Sequence, residues 1–414
     1  MTGAPAFLLG RLAQRMSDRA MACAPNGLLL LAACCRWPHS PQRLQAIRAG
    51  HGEATDWAGW LALVKAHRVW GLAADGLAHA NVAPPPPISR KLGNKCRTLV
   101  RRNLEMTAET LRLVALLNEA GIAVVVLKGI SLSVLAYGNL SVKHSMDIDL
   151  LVRPDAMAVA AQALAHNGFK AEHAPLGLTQ RQLDLLLGCA RELGFRGGDS
   201  QPLIELHWKL SYNSCLLQGI GPHWPLQPVV AGGSTVHALA EEALFAYLCV
   251  HGAQHRWRRL KWLADLAALI SDRDESGIDQ LYRAAQSAGA GRCAGQALLL
   301  CQRLLGMHMP ESLSSELRAS ASVLLLEALA LQAMTGCSSE EDRPSTVLEN
   351  LGLFLYLGLL GSGWRFYASE ISRYLVSPAD VLAVPLPPSL IWLYPVLRLP
   401  VWLWRWRPWR QGRA

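Results

Sequence analysis

The stretch "LKGISLSVLAYGNLSVKHSMDIDLLV", Leu127 to Val152, decides the fold. It closes on a strand-like run, Asp147 to Val152, in which Asp147 and Asp149 stand two positions apart. Side chains at i and i+2 of a strand share one face. Two carboxylates side by side repel, so something positive belongs between them. Just before this stretch, "IAVVVLK" (Ile122 to Lys128) is a short β-branched run that suits a buried strand. Gly129 follows, and a helical turn is predicted from Ser131 to Tyr137.

Working outward, Pro154 predicts the start of a helix that ends at Gly168. "FKAEHA", "RELGFRGG" and "PLIELHW" supply further strands up to Trp208. Strands and helices therefore alternate over residues 118–210, as in a compact α/β unit with a mixed sheet. Residues 1–117 read as helical. "DWAGWLALVKAHRVWGLAADGLAHA" (Asp56 to Ala80) has helical apolar spacing and Asp56 as N-cap. Pro84 to Pro87 break the pattern, and a helix is predicted from Ser89 to Ala120. Residues 211–345 are helical again, with one long amphipathic stretch from Ala240 to Ile270. Residues 346–414 are apolar and rich in Trp and Arg. The fold class is α+β: a small mixed-sheet core between N- and C-terminal helical regions.

The chain has 414 residues, 51% hydrophobic and 17% charged, which argues against long disordered segments. A net charge of +9 favours anionic partners: nucleotides, nucleic acid or an anionic membrane surface. The 10 cysteines form no C-x-x-C pair, as expected of buried thiols in a reducing compartment. The basic stretch around Arg11, Arg15 and Arg19 is too long, and the apolar run Leu28 to Cys35 too brief, for an export signal. A cytoplasmic protein is expected. "LGLFLYLGLLG" (Leu351 to Gly361) is too short to span a bilayer, and the run Val381 to Leu397 is interrupted by prolines. Beyond it, Trp402, Trp404, Trp406 and Trp409 interleave with Arg398, Arg405, Arg407, Arg410 and Arg413. Indole at headgroup level and Arg on phosphate suit a membrane interface, which would put the protein at the inner face of the membrane. The same pairing also fits stacking on nucleic acid.

Asp147 and Asp149 on one strand face can share a divalent cation, Mg²⁺ first among them. Glu205, an acid in the apolar run "LIELHW", is a third ligand if its strand lies alongside, giving a site for one or two ions. Lys128, Gly129 and Ser131 precede a helix. Glycine lets a phosphate approach the backbone, and the helix N-terminus offers free N–H groups. Downstream, His251, His255, Trp262 and Asp265 fall along one helical stripe. They read either as a domain interface, with Asp265 paired to Arg258 or Lys261, or as a pocket wall where Lys261 and Arg258 contact phosphate. The H-x-x-x-H pair has metal-ligand spacing but no Glu beside its first His, so it does not match a metalloprotease motif; an HxxxH metal hydrolase is a third reading. His67 and His207 read as structural. The sequence has no G-x-S-x-G elbow, Walker A loop or dinucleotide-type glycine motif in the right context.

"LKGISL…Y…SMDIDLLV" followed by "IELHW" resembles the uncharacterised nucleotidyltransferase family of bacteria, within the polymerase-β-like nucleotidyltransferase superfamily. "DWAGWLALVKAHRVWGLAADGL" and "HGAQHRWRRLKWLADLAALI" are similar to that family's flanking helices, so the resemblance covers roughly residues 55 to 400. It implies a nucleotidyltransferase core at 118–210 and metal-dependent transfer of a nucleoside monophosphate from a nucleoside triphosphate to an acceptor hydroxyl. It implies Asp147 and Asp149 as metal ligands and puts Glu205 where a third carboxylate, often Asp, is expected. The chain departs from the superfamily pattern in having Ile130 between Gly129 and Ser131. The alternative is a protein that keeps the fold without turnover and binds at a membrane surface.

Overall fold

The computed structural model describes residues 3–52, 55–172, 178–198, 201–221, 223–336 and 347–397. The Trp/Arg-rich run 398–414 lies outside the described residues. The core is a five-stranded mixed sheet of β1 (Val125–Val126), β2 (Asp147–Leu151), β3 (Lys170–Ala171), β4 (Glu192–Arg196) and β5 (Leu203–His207), in the order β1-β2-β5-β4-β3. Only β2 and β5 run parallel. A hairpin of β6 (Leu226–Ala231) and β7 (Ser234–Leu239) turns at Gly232-Gly233, both with positive φ, the chemistry of a tight two-residue turn. "VVAGGSTV" carried that signal, yet the sequence reading placed it inside a helical region, 211–345.

One face of the sheet is apolar. Ile148, Leu150, Leu193, Phe195, Ile204 and Leu206 bury against a helical layer that includes Leu113 and Leu117. The latter two come from the helix Pro86–Glu119. That helix starts three residues before the expected Ser89, because prolines in a first turn give up N–H groups that have no partner there anyway. The larger apolar cluster lies among the N- and C-terminal helices, and the other face of the sheet looks toward it.

Two helices predicted as continuous are broken. Asp56 caps the first, accepting from Gly59 N–H at 2.9 Å. The helix then stops at His67, Arg68 turns left-handed (φ 56°), and a second helix runs Trp70–His79. The stretch 240–270 likewise divides into Glu241–Gln254 and Leu260–Leu269, with Arg256 and Trp257 left-handed (φ 55° and 48°). The cause is Trp257, which is fully buried and folds its ring onto Gly252, where a Cβ would collide with it. Two left-handed non-glycine residues cost roughly 2–4 kcal/mol. Burying about 150–250 Å² of indole returns roughly 4–6 kcal/mol, so packing outweighs helical regularity. Both breaks turn side chains toward the polar face of the sheet.

Candidate active site

Strand periodicity builds the site. Asp149 and Glu205 are direct partners in the β2–β5 register, and Glu192 on β4 is the partner of His207 on β5. Asp147, Asp149, Glu192, Glu205 and His207 therefore occupy one face of three adjacent strands. Asp149 is 2% exposed and His207 1% exposed. Lys128 Nζ lies 2.8 Å from Asp149 Oδ1, and His207 Nε2 lies 3.2 Å from the same oxygen. His207 Nε2 is 3.7 Å from Glu205 Oε2, and its Nδ1 is 3.1 Å from Glu192 Oε2, an ionic contact without hydrogen-bond alignment. Ligand atoms of Asp149, Glu205 and His207 lie within 4.8 Å of one another, the one such group of three among the described residues.

The charges shift one another. Burial alone would raise the Asp149 carboxyl; Lys128 and His207 more than reverse this and hold it well below the usual carboxylate range. Burial raises Glu205. The nearby His207 imidazole opposes that shift, and the negative charge of Asp149 adds to it. His207 is raised despite its burial, by its hydrogen bond to Asp149 and by the nearby carboxylates of Glu205 and Glu192. Lys128 is raised despite burial by Asp149. A compact set of acids thus shares two proton-bearing groups, and the buried Asp149 Oδ2 has no hydrogen-bond partner. An aspartate with one orphaned carboxylate oxygen, grouped with a second carboxylate and an imidazole, fits a divalent cation.

Lys128, Asp147, Asp149, Glu192 and Glu205 line a cleft of about 260 Å³, with His207 buried behind its floor. Lys128 and Gly129 stand on its rim, and Gly129 has positive φ with open space where a Cβ would be. The helix Ile130–Tyr137 begins there. Ser131 does not line the cleft. It is buried, and its hydroxyl donates to the carbonyls of Val126 and Lys128 at 2.9 and 3.0 Å, so it braces the turn from within. Asp147, half-buried, lines the cleft but lies outside the three-ligand group.

The opposite wall comes from the two broken helical stretches: Arg68, His251, His255, Lys261, Trp262 and Asp265. His255 stacks on Trp262 at 4.8 Å and meets His251 edge-on at 4.7 Å. Asp265 pairs with neither Arg258 nor Lys261, as the sequence reading allowed. It accepts from Tyr137 Oη at 2.9 Å and takes Lys143 Nζ at 3.0 Å. That pairing ties the segment after the Ile130–Tyr137 helix to the far wall. Lys261 is pushed down to about 7, first by burial and then by Lys143. His67 is buried, its Nδ1 accepting from Leu260 N–H at 3.2 Å, a structural use that anchors the helix carrying Lys261.

Comparison with known protein families matches residues 53–306 to the family described as "Uncharacterised nucleotidyltransferase". The chain belongs to that family. The match covers more than half of the chain and spans both walls of the cleft. Searches of curated proteins and of solved structures return no match. A nucleotidyltransferase takes a nucleoside triphosphate as substrate, and the acidic group on its sheet is able to hold a metal. Sequence reasoning found Asp147, Asp149, Glu205, Lys128 and Lys261 but assigned His207 a structural part. The available signal was E-x-H in "IELHW": two residues on from Glu205 is the same strand face. Arg68 and Lys143 carried no comparable signal, because tertiary folding alone brings them to the cleft.

Proposed function

We propose that this nucleotidyltransferase moves a nucleoside monophosphate from a nucleoside triphosphate to an acceptor hydroxyl, with pyrophosphate leaving. The carrying observation is that Asp149, Glu205 and His207 converge within 4.8 Å beside the Lys128-Gly129 turn. In this reading Asp149 and Glu205 hold one or two divalent cations with Asp147 at the edge. Mg²⁺ suits the carboxylates, and the His207 imidazole extends the choice to Mn²⁺. A cation bound there supplies charge neutralisation at the α-phosphate.

The chain's own residues do the rest. Gly129 and the first N–H groups of the Ile130–Tyr137 helix receive the β- and γ-phosphates, with Lys261 opposite. Lys128, paired with Asp149 at 2.8 Å beside the glycine turn, stands where its ammonium meets a phosphate oxygen. Glu205 either completes the metal site or, left off the cation with its carboxyl raised, takes the proton of the attacking hydroxyl as that oxygen bonds to the α-phosphorus. The bond from that phosphorus to the bridging oxygen breaks. Ser131 contributes by fixing the turn, and Asp265 by holding Lys143 at the cleft. Thiols free of disulfides throughout the described residues support a reducing, nucleotide-rich site of action such as the cytoplasm.

The test is incubation with α-labelled nucleoside triphosphates, Mg²⁺ or Mn²⁺, and cell extract, comparing the native chain with Asp149→Asn. A labelled product made only by the native form supports the reaction and identifies the acceptor. Metal-independent nucleotide binding by calorimetry, together with no product from any of the four nucleotides, would overturn it.

A further inference from the structure

The helix Trp364–Leu375 is oriented the wrong way round for a soluble surface. Its inward side carries Phe366, packed in the core, and Glu370, which is 5% exposed and accepts from Asn213 Nδ2 at 2.9 Å. Its outward side carries Trp364 at 75% exposure, Tyr367 at 46%, Ile371 at 51% and Leu375 at 43%. The spacing i, i+3, i+7, i+11 makes these one continuous stripe. The preceding helix, Val347–Gly358, exposes Leu351 and Leu355 at 53% and 60%. A surface helix ordinarily buries its apolar stripe and solvates its acid. Here the acid is buried and hydrogen-bonded, and the apolar stripe faces out.

We propose that this stripe docks the enzyme on an anionic lipid bilayer, with the helix lying in the interface plane. Three observations select a lipid surface. Trp and Tyr at the stripe's N-terminal half are the residues of the headgroup level. The helix shows no acid outward: Glu370 and the following Asp380 are both buried, whereas Arg365 is exposed and stands over the Trp364 ring at 5.5 Å. The chain then continues into five arginines and four tryptophans between Arg398 and Arg413 without one acidic residue. No single described helix is long and apolar enough to cross a membrane, and the proposed contact is one made in the interface plane. This goes beyond the nucleotide chemistry and does not depend on it.

The experiment is flotation of the full chain with phosphatidylglycerol-containing and pure phosphatidylcholine vesicles. The comparison is a Trp364→Ser, Ile371→Glu double variant and a second full-length variant with Trp402, Trp404, Trp406 and Trp409 changed to Ser. The substituted helix positions are exposed, and circular dichroism with urea unfolding confirms that the variants fold. The expected result is flotation of the native chain with anionic vesicles only, reduced at least about tenfold by the helix variant. The proposal is overturned by a helix variant that floats like the native chain, since the Trp/Arg run would then carry the binding alone. Equal flotation with neutral vesicles also overturns it. So does the absence of flotation accompanied by a dimer that the helix variant dissociates, which would make the stripe a contact between two copies.

Discussion

Lys128→Met removes one charge from the most crowded part of the site and keeps the aliphatic stem. The ammonium sits 2.8 Å from Asp149 Oδ1, with 14% of its side chain exposed. Removing one partner of a buried pair costs about 3–5 kcal/mol. His207 stays on the same oxygen, which sets the expectation at the low end, about 3 kcal/mol. The loss depends on what else is bound. In chelator, Asp149 and Glu205 face each other with His207 as their remaining shared partner. A divalent cation at 100 times its Kd stabilises the native state by about 2.7 kcal/mol, and in the variant it also replaces the missing charge. Urea unfolding of both proteins in EDTA and in saturating Mn²⁺ reads this directly. The native–variant gap should be about 3 kcal/mol in EDTA and fall below about 1 kcal/mol with metal. A gap of the same size in both conditions would refute the placement of the cation between these carboxylates.

Three further outcomes follow from the geometry. Lys261, at about 7 in the free protein, should rise when a polyphosphate arrives, so nucleotide binding between pH 7 and 9 takes up protons. Calorimetry in buffers of different ionisation enthalpy should show this uptake in the native chain and not in Lys261→Met; identical uptake in both excludes Lys261 from the phosphate site. His67 is lowered to about 4, by burial first and Arg259 second, so the unfolded chain binds the extra proton between pH 6.5 and 4. Stability from this group is present above pH 6.5 and lost on acidification, up to about 3 kcal/mol. The native-minus-His67→Gln difference should shrink over that window, and a flat difference counts against a neutral buried imidazole. Gly71→Ala would drive a Cβ into the backbone of Val142. It should cost about 1–3 kcal/mol and weaken nucleotide binding by displacing Lys143, whereas an unchanged affinity would detach that segment from the cleft.

How much of this was legible beforehand depends on the range of the interaction that decides it. The D-x-D strand, the glycine turn and Glu205 are local patterns, and the β2–β5 pairing then put Asp149 directly beside Glu205. His207 was legible by the same two-residue period but was passed over, because a lone histidine in an apolar run usually packs. The helix breaks at Arg68 and at Arg256-Trp257 were not legible: local propensity favoured continuity, and the indole of Trp257 settling on Gly252 decided otherwise. Ser131 has the residue type of a phosphate donor, and only the three-dimensional turn shows its hydroxyl bound to the strand carbonyls.

The cleft draws its two sides from distant parts of the chain. The acids sit on strands 147–151 and 203–207, while Arg68, Lys261 and Trp262 arrive from helices on either side of that core. The acids and the basic and aromatic side chains that face them across the cleft are thereby carried on separate segments, so the helical wall can be altered without touching the strands that hold the carboxylates.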